Sequence, residues 1–242
     1  MSWLGQRPVL CVLVVGVGLS SAFGLDLNSI ELGVNGAVGR SAEPEIASIT
    51  GYGVDISVAW RITKALDLRL SSLHRRNHLE DDQAHLHWNW EYWQKIYGYT
   101  VYILDQDPAY NVNFMSVQLV DSKPILAGLG YHWRLDRKMQ PFGGIQTGPV
   151  WYGRKLYLEE NWEKHFPSID YVFTYHFRNA ADTRKGWVWA VRGTGGVDFQ
   201  WHPNIGISMQ MEWIQYFDVF TGSDYFPVQS LMSAQIMVRF YY

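Results

Sequence analysis

VQSLMSAQIMVRFYY, residues 228–242, alternates along its whole length. Ser230, Met232, Ala234, Ile236, Val238, Phe240 and Tyr242 share one face, while Gln229, Ser233, Gln235 and Arg239 dominate the other. Successive side chains of a β-strand point to opposite faces. The pattern therefore predicts a closing strand with one charge-free face and an aromatic end.

The same alternation recurs upstream. Ile30, Leu32, Val34 and Val38 oppose Glu31 and Asn35; Tyr52, Val54, Ile56, Val58, Trp60 and Ile62 oppose Asp55, Ser57 and Arg61. Leu66, Leu68 and Leu70 oppose Asp67 and Arg69; Ile125 to Leu135 repeats the motif against Gly128, Gly130, His132 and Arg134. Trp187 to Trp201 and Ile205 to Trp213 supply two more, against Arg192, Asp198, Gln210 and Glu212. Eight strands are expected, at 30–40, 50–62, 66–76, 124–135, 139–153, 187–201, 205–218 and 228–242. Short polar turns alternate with long connections, at 77–123 and 154–186. Leu86, Trp88, Trp90 and Tyr92, then Tyr97, Tyr99, Val101 and Ile103, alternate inside the first. They predict tall strand extensions, a loop hairpin, or a further membrane hairpin making ten strands.

The first 24 residues read as a cleaved secretory signal: Arg7, an apolar run from Val9 to Leu19, then a small-residue zone ending at Ala22 or Gly24. About eleven apolar residues fall short of the roughly 20 a spanning helix needs. The single cysteine, Cys11, lies within this stretch. Removing the signal takes one base from 20 and no acid from 23, so the charge moves from -3 to -4. That gives no support for a nucleic-acid partner. The 12 Trp and 15 Tyr suit a protein with two aromatic interfacial girdles. Together these features predict an all-β, antiparallel transmembrane β-barrel over residues 25–242, with long extracellular loops.

The inner faces carry Glu31, Asp55, Asp67, Asp198 and Glu212 against Arg61, Arg69, Arg134, Arg192 and Arg239, with His132 among them. Such balance predicts a paired plug, because isolated charges away from water are costly. Asp198 and Glu212, on neighbouring strands, could form a carboxylate dyad but are expected to hold arginines instead. In the loops, His85 and His87 near Asp81 and Asp82 could start a zinc site, lacking a further ligand. His165, His176, Asp170 and Ser168 offer ingredients for lipid hydrolysis without a visible alignment. Trp88, Trp90, Tyr92, Trp93, Tyr97 and Tyr99 form either a contact surface for lipopolysaccharide, a glycan or a host protein, or packing within a hairpin. No residue is assigned a catalytic, cofactor or metal role, and no cofactor is expected.

Ala127 to Leu135 (AGLGYHWRL), the following Gln140 to Ile145 (QPFGGI) and the aromatic last strand resemble the small bacterial outer-membrane β-barrels that include the OmpA transmembrane domain and OmpW. The resemblance implies location in the outer membrane of a Gram-negative bacterium, contact with its lipids and lipopolysaccharide, and a terminal signal at Phe240 and Tyr242 read by the barrel-assembly machinery. It implies a non-enzymatic envelope or surface-interaction role. A porin-like conduit for small amphiphiles and a lipid A-modifying hydrolase or acyltransferase are the alternatives. The His-x-Ser-Asn segment of PagL-type deacylases is absent, as is a C-terminal peptidoglycan-binding domain.

Overall fold

The computed structural model describes residues 26–133, 138–220 and 226–242. The proposed signal, Arg134 and Leu135 lie outside the described residues. Among the described residues nine strands run in chain order: β1 (Asp26–Ser41), β2 (Ser48–Arg61), β3 (Leu66–Glu80), β4 (Tyr110–His132), β5 (Met139–Phe166), β6 (Tyr171–Ala180), β7 (Arg184–His202), β8 (Ile205–Phe217) and β9 (Val228–Tyr241). Every pairing is antiparallel. The order β4-β3-β2-β1-β9-β8-β7-β5 closes on itself through β4–β5, making an eight-stranded ring. β1 meets β9 in long register, Ile30 opposite Phe240 and Val38 opposite Met232. Closure leaves no hydrogen-bonding edge within the ring, the condition for exposing a sheet to hydrocarbon.

Polarity is inverted relative to a soluble barrel. Val34, Val38, Val54, Ile145, Met209, Met232 and Ile236 are exposed on the outer wall, while Glu31, Asp55, Asp67, Asp198, Glu212 and five arginines are buried inside. At one end the turns are short. Thr63 folds the β2–β3 turn by accepting the Ala65 and Leu66 amides on Oγ1, at 3.3 and 3.0 Å. His202-Pro203-Asn204 makes the β7–β8 turn, and both described chain ends lie on this side. At Gly130 a Cβ would run into the Arg69 side chain, so glycine there is what lets the arginine lie across the lumen.

At the opposite end the ring is extended. β4 and β5 continue far past the other strands, Tyr110 reaching Lys164. β6 joins β5 alone, Phe166 opposite Tyr171, forming a three-stranded sheet that stands clear of the ring. The expected strands inside 86–103 are not there. This stretch forms α1 (Ala84–His87), a π-helical turn (Trp93–Tyr97) and α2 (Gly98–Asp105). The spacing of four that joins Trp93, Tyr97 and Val101 fits period 2 and period 3.6 equally. Burying these residues on Leu158 and Trp162 of β5 selects the helix. Asn89 and Asp170 take left-handed backbone at φ 54° and 49°, ending α1 and turning the chain into β6.

Ile236, exposed on the wall of β9, provides the direct check on which solvent the outside meets. Ile236→Arg is expected to destabilise the folded barrel by about 2–4 kcal/mol. Tyr99→Arg, on the helical cap, should cost little. Urea unfolding in lipid vesicles, followed by heat-modifiable electrophoretic mobility, separates the two.

Candidate functional site

The strand pattern brings the inner acids and bases together in two layers. In the lower one, nearer the short turns, Arg239 pairs with Glu31 at 2.6 Å and with Asp198. His132 lies between Asp67 (2.8 Å) and Asp198 (3.4 Å), and its ring stacks on Phe142. The guanidinium of Arg69 lies 3.0 Å from His132 Nε2 and 3.9 Å from Glu31, and sits over the Phe142 face. Ser57 donates to Glu31 at 3.0 Å.

The upper layer centres on Glu212. Its carboxylate pairs with Arg75 and, at 2.8 Å, with Arg192, which also holds Asp55 at 2.7 Å. Arg75 donates to Asn35 and Ser233, and Arg192 to Ser71. Asp198 and Glu212 thus hold arginines in separate layers and form no dyad. Of the expected bases, Arg61 is not in the plug: it is exposed at the β2 end and bonded to Asn28. Arg134 lies outside the described residues. Arg75 takes part instead. It lies within the expected 66–76 strand and continues the inward set of Asp67 and Arg69, but beyond Leu70 the apolar alternation that marks the two faces stops. Higher in the lumen, apolar side chains such as Leu79, Val120, Val150, Tyr152 and Leu231 pack around a further polar group, in which Arg154 donates to Gln118 at 3.0 Å and to Glu43 at 2.7 Å.

The extracellular candidates are dispersed. On a helical turn, His85 and His87 point apart rather than sharing a strand face. His85 is buried and shares a 2.7 Å hydrogen bond with Ser116 Oγ on β4, its ring edge-on to Trp93. His87 is exposed beside Glu43, Glu45 and Asp81 in a polar cleft of about 250 Å³. No metal-ligating group of three or more side chains forms among the described residues. A serine facing a histidine is the beginning of a hydrolytic site. Here Asp81 is engaged instead by the Gln83 amide and Gln118, and both partners of the Ser116–His85 pair are covered. The pair anchors α1 to the barrel wall. His165 and His176 are opposite Val172 and Asn161, four ladder steps or about 13 Å apart. His176 bonds Asn161 and Asp170 forms the turn, so no hydrolytic alignment arises.

The aromatic group divides. Trp88 and Trp93 are buried, Trp88 under the guanidinium groups of Arg154 and Arg184. Tyr92 stacks on Tyr97, whose hydroxyl donates to Glu160 at 2.5 Å, and Tyr99 faces solvent. Packing prevails, in a helical cap rather than a hairpin. Tyr92, Tyr99 and Tyr102 of the cap are exposed, and β6 adds a second exposed aromatic surface, where Tyr171, Phe173, Tyr175 and Phe177 occupy one face. Period-2 alternation in 171–178 was present in the sequence but lay in a segment read as one long loop.

The closed ring, reversed polarity and ionic lumen define a transmembrane β-barrel of the small outer-membrane type. Among solved structures the chain is similar to Ail, the attachment invasion locus protein of Yersinia pestis, in complex with the heparin analogue sucrose octasulfate (10% identity, 90% of this chain and 99% of that one, TM-score 0.43). It is similar also to the outer-membrane protein OprG from Pseudomonas aeruginosa (9%, 90% and 94%, 0.42) and to Neisserial surface protein A (12%, 88% and 96%, 0.40). No family model matches the chain, and no curated protein matches it. The barrel assignment rests on strand closure and the placement of charge.

Two outcomes follow from this geometry. Glu212→Ala leaves Arg75 and Arg192 facing each other in the lumen and is expected to cost about 3–5 kcal/mol, read from urea unfolding in vesicles. Burial lowers the His85 pKa, against the pull of Asp81, so the folded cap favours the neutral ring. The unfolded cap binds a proton more readily, and its stability is full above the ordinary histidine value and falls as pH drops through it. Trp93 fluorescence should therefore report loosening below about pH 6.5, and His85→Phe should remove that step.

Proposed function

We propose that this protein is a sealed, non-enzymatic scaffold of the bacterial outer membrane that presents the β4–β5–β6 sheet to partners outside the cell. Residues 1–24 direct export and are removed, and Phe240 and Tyr242 act in recognition by the assembly machinery. The wall contacts outer-membrane lipids, including lipopolysaccharide.

The observation that carries the reading is the β6 edge. β6 is exposed along its length, pairs only with β5, and has no proline or bulge along its ladder. An unpaired edge of this kind accepts a further strand, its backbone supplying affinity and its alternate side chains selectivity. The ionic plug supports the sealed half of the reading: Arg192 and Glu212 are each 2% exposed, so the lumen offers no wetted path at their level. Passage of amphiphiles and lipid modification have no comparable feature in their favour.

In planar bilayers the purified protein should show no conductance above background, while Glu212→Ala should produce leak events. Stable unitary conductance of the unsubstituted barrel would exclude a sealed scaffold. For the surface role, the chain with Val172→Pro and Thr174→Pro keeps the ring but loses strand acceptance at β6. It should lose adhesion to host or bacterial surfaces conferred by the unsubstituted protein at equal surface abundance.

A further inference from the structure

On the outer wall the apolar band ends abruptly in charge over one sector. Up β3, Leu66, Leu68 and Leu70 give way to Ser72, His74 and Arg76; up β4, Leu129, Ala127 and Ile125 give way to Lys123 and Asp121. Up β5, Ile145, Thr147 and Pro149 lead to Trp151, Gly153 and Lys155. The register brings these together: Arg76 is opposite Asp121, Asp121 opposite Gly153, and Gly153 opposite Lys185 of β7.

Asp121 gathers the cations. It accepts from Arg76 at 2.7 and 3.3 Å and from Lys155 at 2.9 Å, while Lys123 Nζ lies 5.4 Å above the Trp151 ring. Asp121 is largely covered, whereas the Arg76 side chain is 42% exposed and that of Lys155 33%. Arg76 and Lys155 thus share a single carboxylate, with Lys123 two residues along β4 on the same face and Lys185 two strands away across Gly153. One ion pair would satisfy Asp121; the surplus of positive charge faces outward.

We infer that this belt of Arg76, Lys123 and Lys155 on β3–β5 binds the phosphate of a phosphorylated membrane lipid, its acyl chains lying against Ile125, Ala127 and Leu129. Position selects a lipid over free phosphate. The belt stands on a convex wall, directly where the hydrocarbon-facing residues stop, with the exposed Trp187 beside it. A headgroup is delivered there at high local concentration and with its tail already aligned. Asp121 holds Arg76 and Lys155 side by side before the ligand arrives, so little freedom is lost on binding. Lys123 is kept over Trp151 in the same way.

This inference rests on the membrane reading above and is tested with the full chain in phosphatidylcholine nanodiscs. The probe is lipid A carrying both phosphates, compared with lipid A from which they have been removed, and co-retention is measured by native mass spectrometry. The bisphosphorylated lipid should be retained and the dephosphorylated one should not. Lys123→Gln with Lys155→Gln should weaken retention on the order of 30-fold, whereas Lys95→Gln on the helical cap should leave it unchanged. Heat-modifiable mobility verifies that each variant is folded. Equal retention of the two lipids, or an unaffected double variant, overturns the site while leaving the barrel intact. Displacement of lipid A by millimolar inorganic phosphate overturns the choice of a lipid. Failure of the unsubstituted chain to enter nanodiscs counts against the membrane reading itself.

Discussion

The structure depends on closing the β1–β9 seam. A sheet with an apolar outer wall is tolerable in hydrocarbon only when every backbone donor and acceptor in that wall has a partner. The register from Ser29–Tyr241 to Ser41–Val228 provides this, and the ring then sets how much room remains inside. Eight strands leave space for side chains alone. The charges that alternation sends inward must therefore neutralise one another, and glycines such as Gly130 must yield volume to the arginines crossing the lumen.

That confinement explains the division of labour along the barrel axis. The two ionic layers, with His132 and Glu212 at their centres, tie strands far apart in sequence. Arg192 of β7 holds Asp55 of β2, and Arg75 of β3 holds Glu212 of β8. Above them Arg154 is matched in the same way by Glu43 and Gln118, within a surround of apolar side chains. A plug of this kind specifies which strands face each other more than it adds net stability, since its charges have been taken out of water. The parts free of this constraint are those carrying recognition: the β6 edge outside the membrane, and the cationic belt where the wall emerges from it.

The inner side of the helical cap serves the scaffold. Trp88, Trp93 and Val101 are consumed in packing against the tall β4–β5 hairpin, and Ser116 fixes His85. Chemistry-bearing residue types are present there, yet their hydrogen bonds are already committed. Open aromatic surface paired with a free strand edge lies on β6, where Tyr171, Phe173 and Phe177 are exposed.

The sequence by itself determined the ring strands and which face of each meets lipid, because period-2 alternation with charge on one side has few other readings. The eight expected spans correspond to the eight strands of the ring, and all five inner acids are buried as their alternation required. Only tertiary structure decided the rest. Arg75 entered the plug and Arg61 did not, since membership depends on height along the barrel as well as on the face of the strand. The 86–103 stretch became helical because spacing of four is shared by both periods, and the neighbouring β5 wall offered burial to the helical one. Belt and edge strand alike arise from register and from the extra height of β4 and β5, quantities set between strands and written in no single one of them.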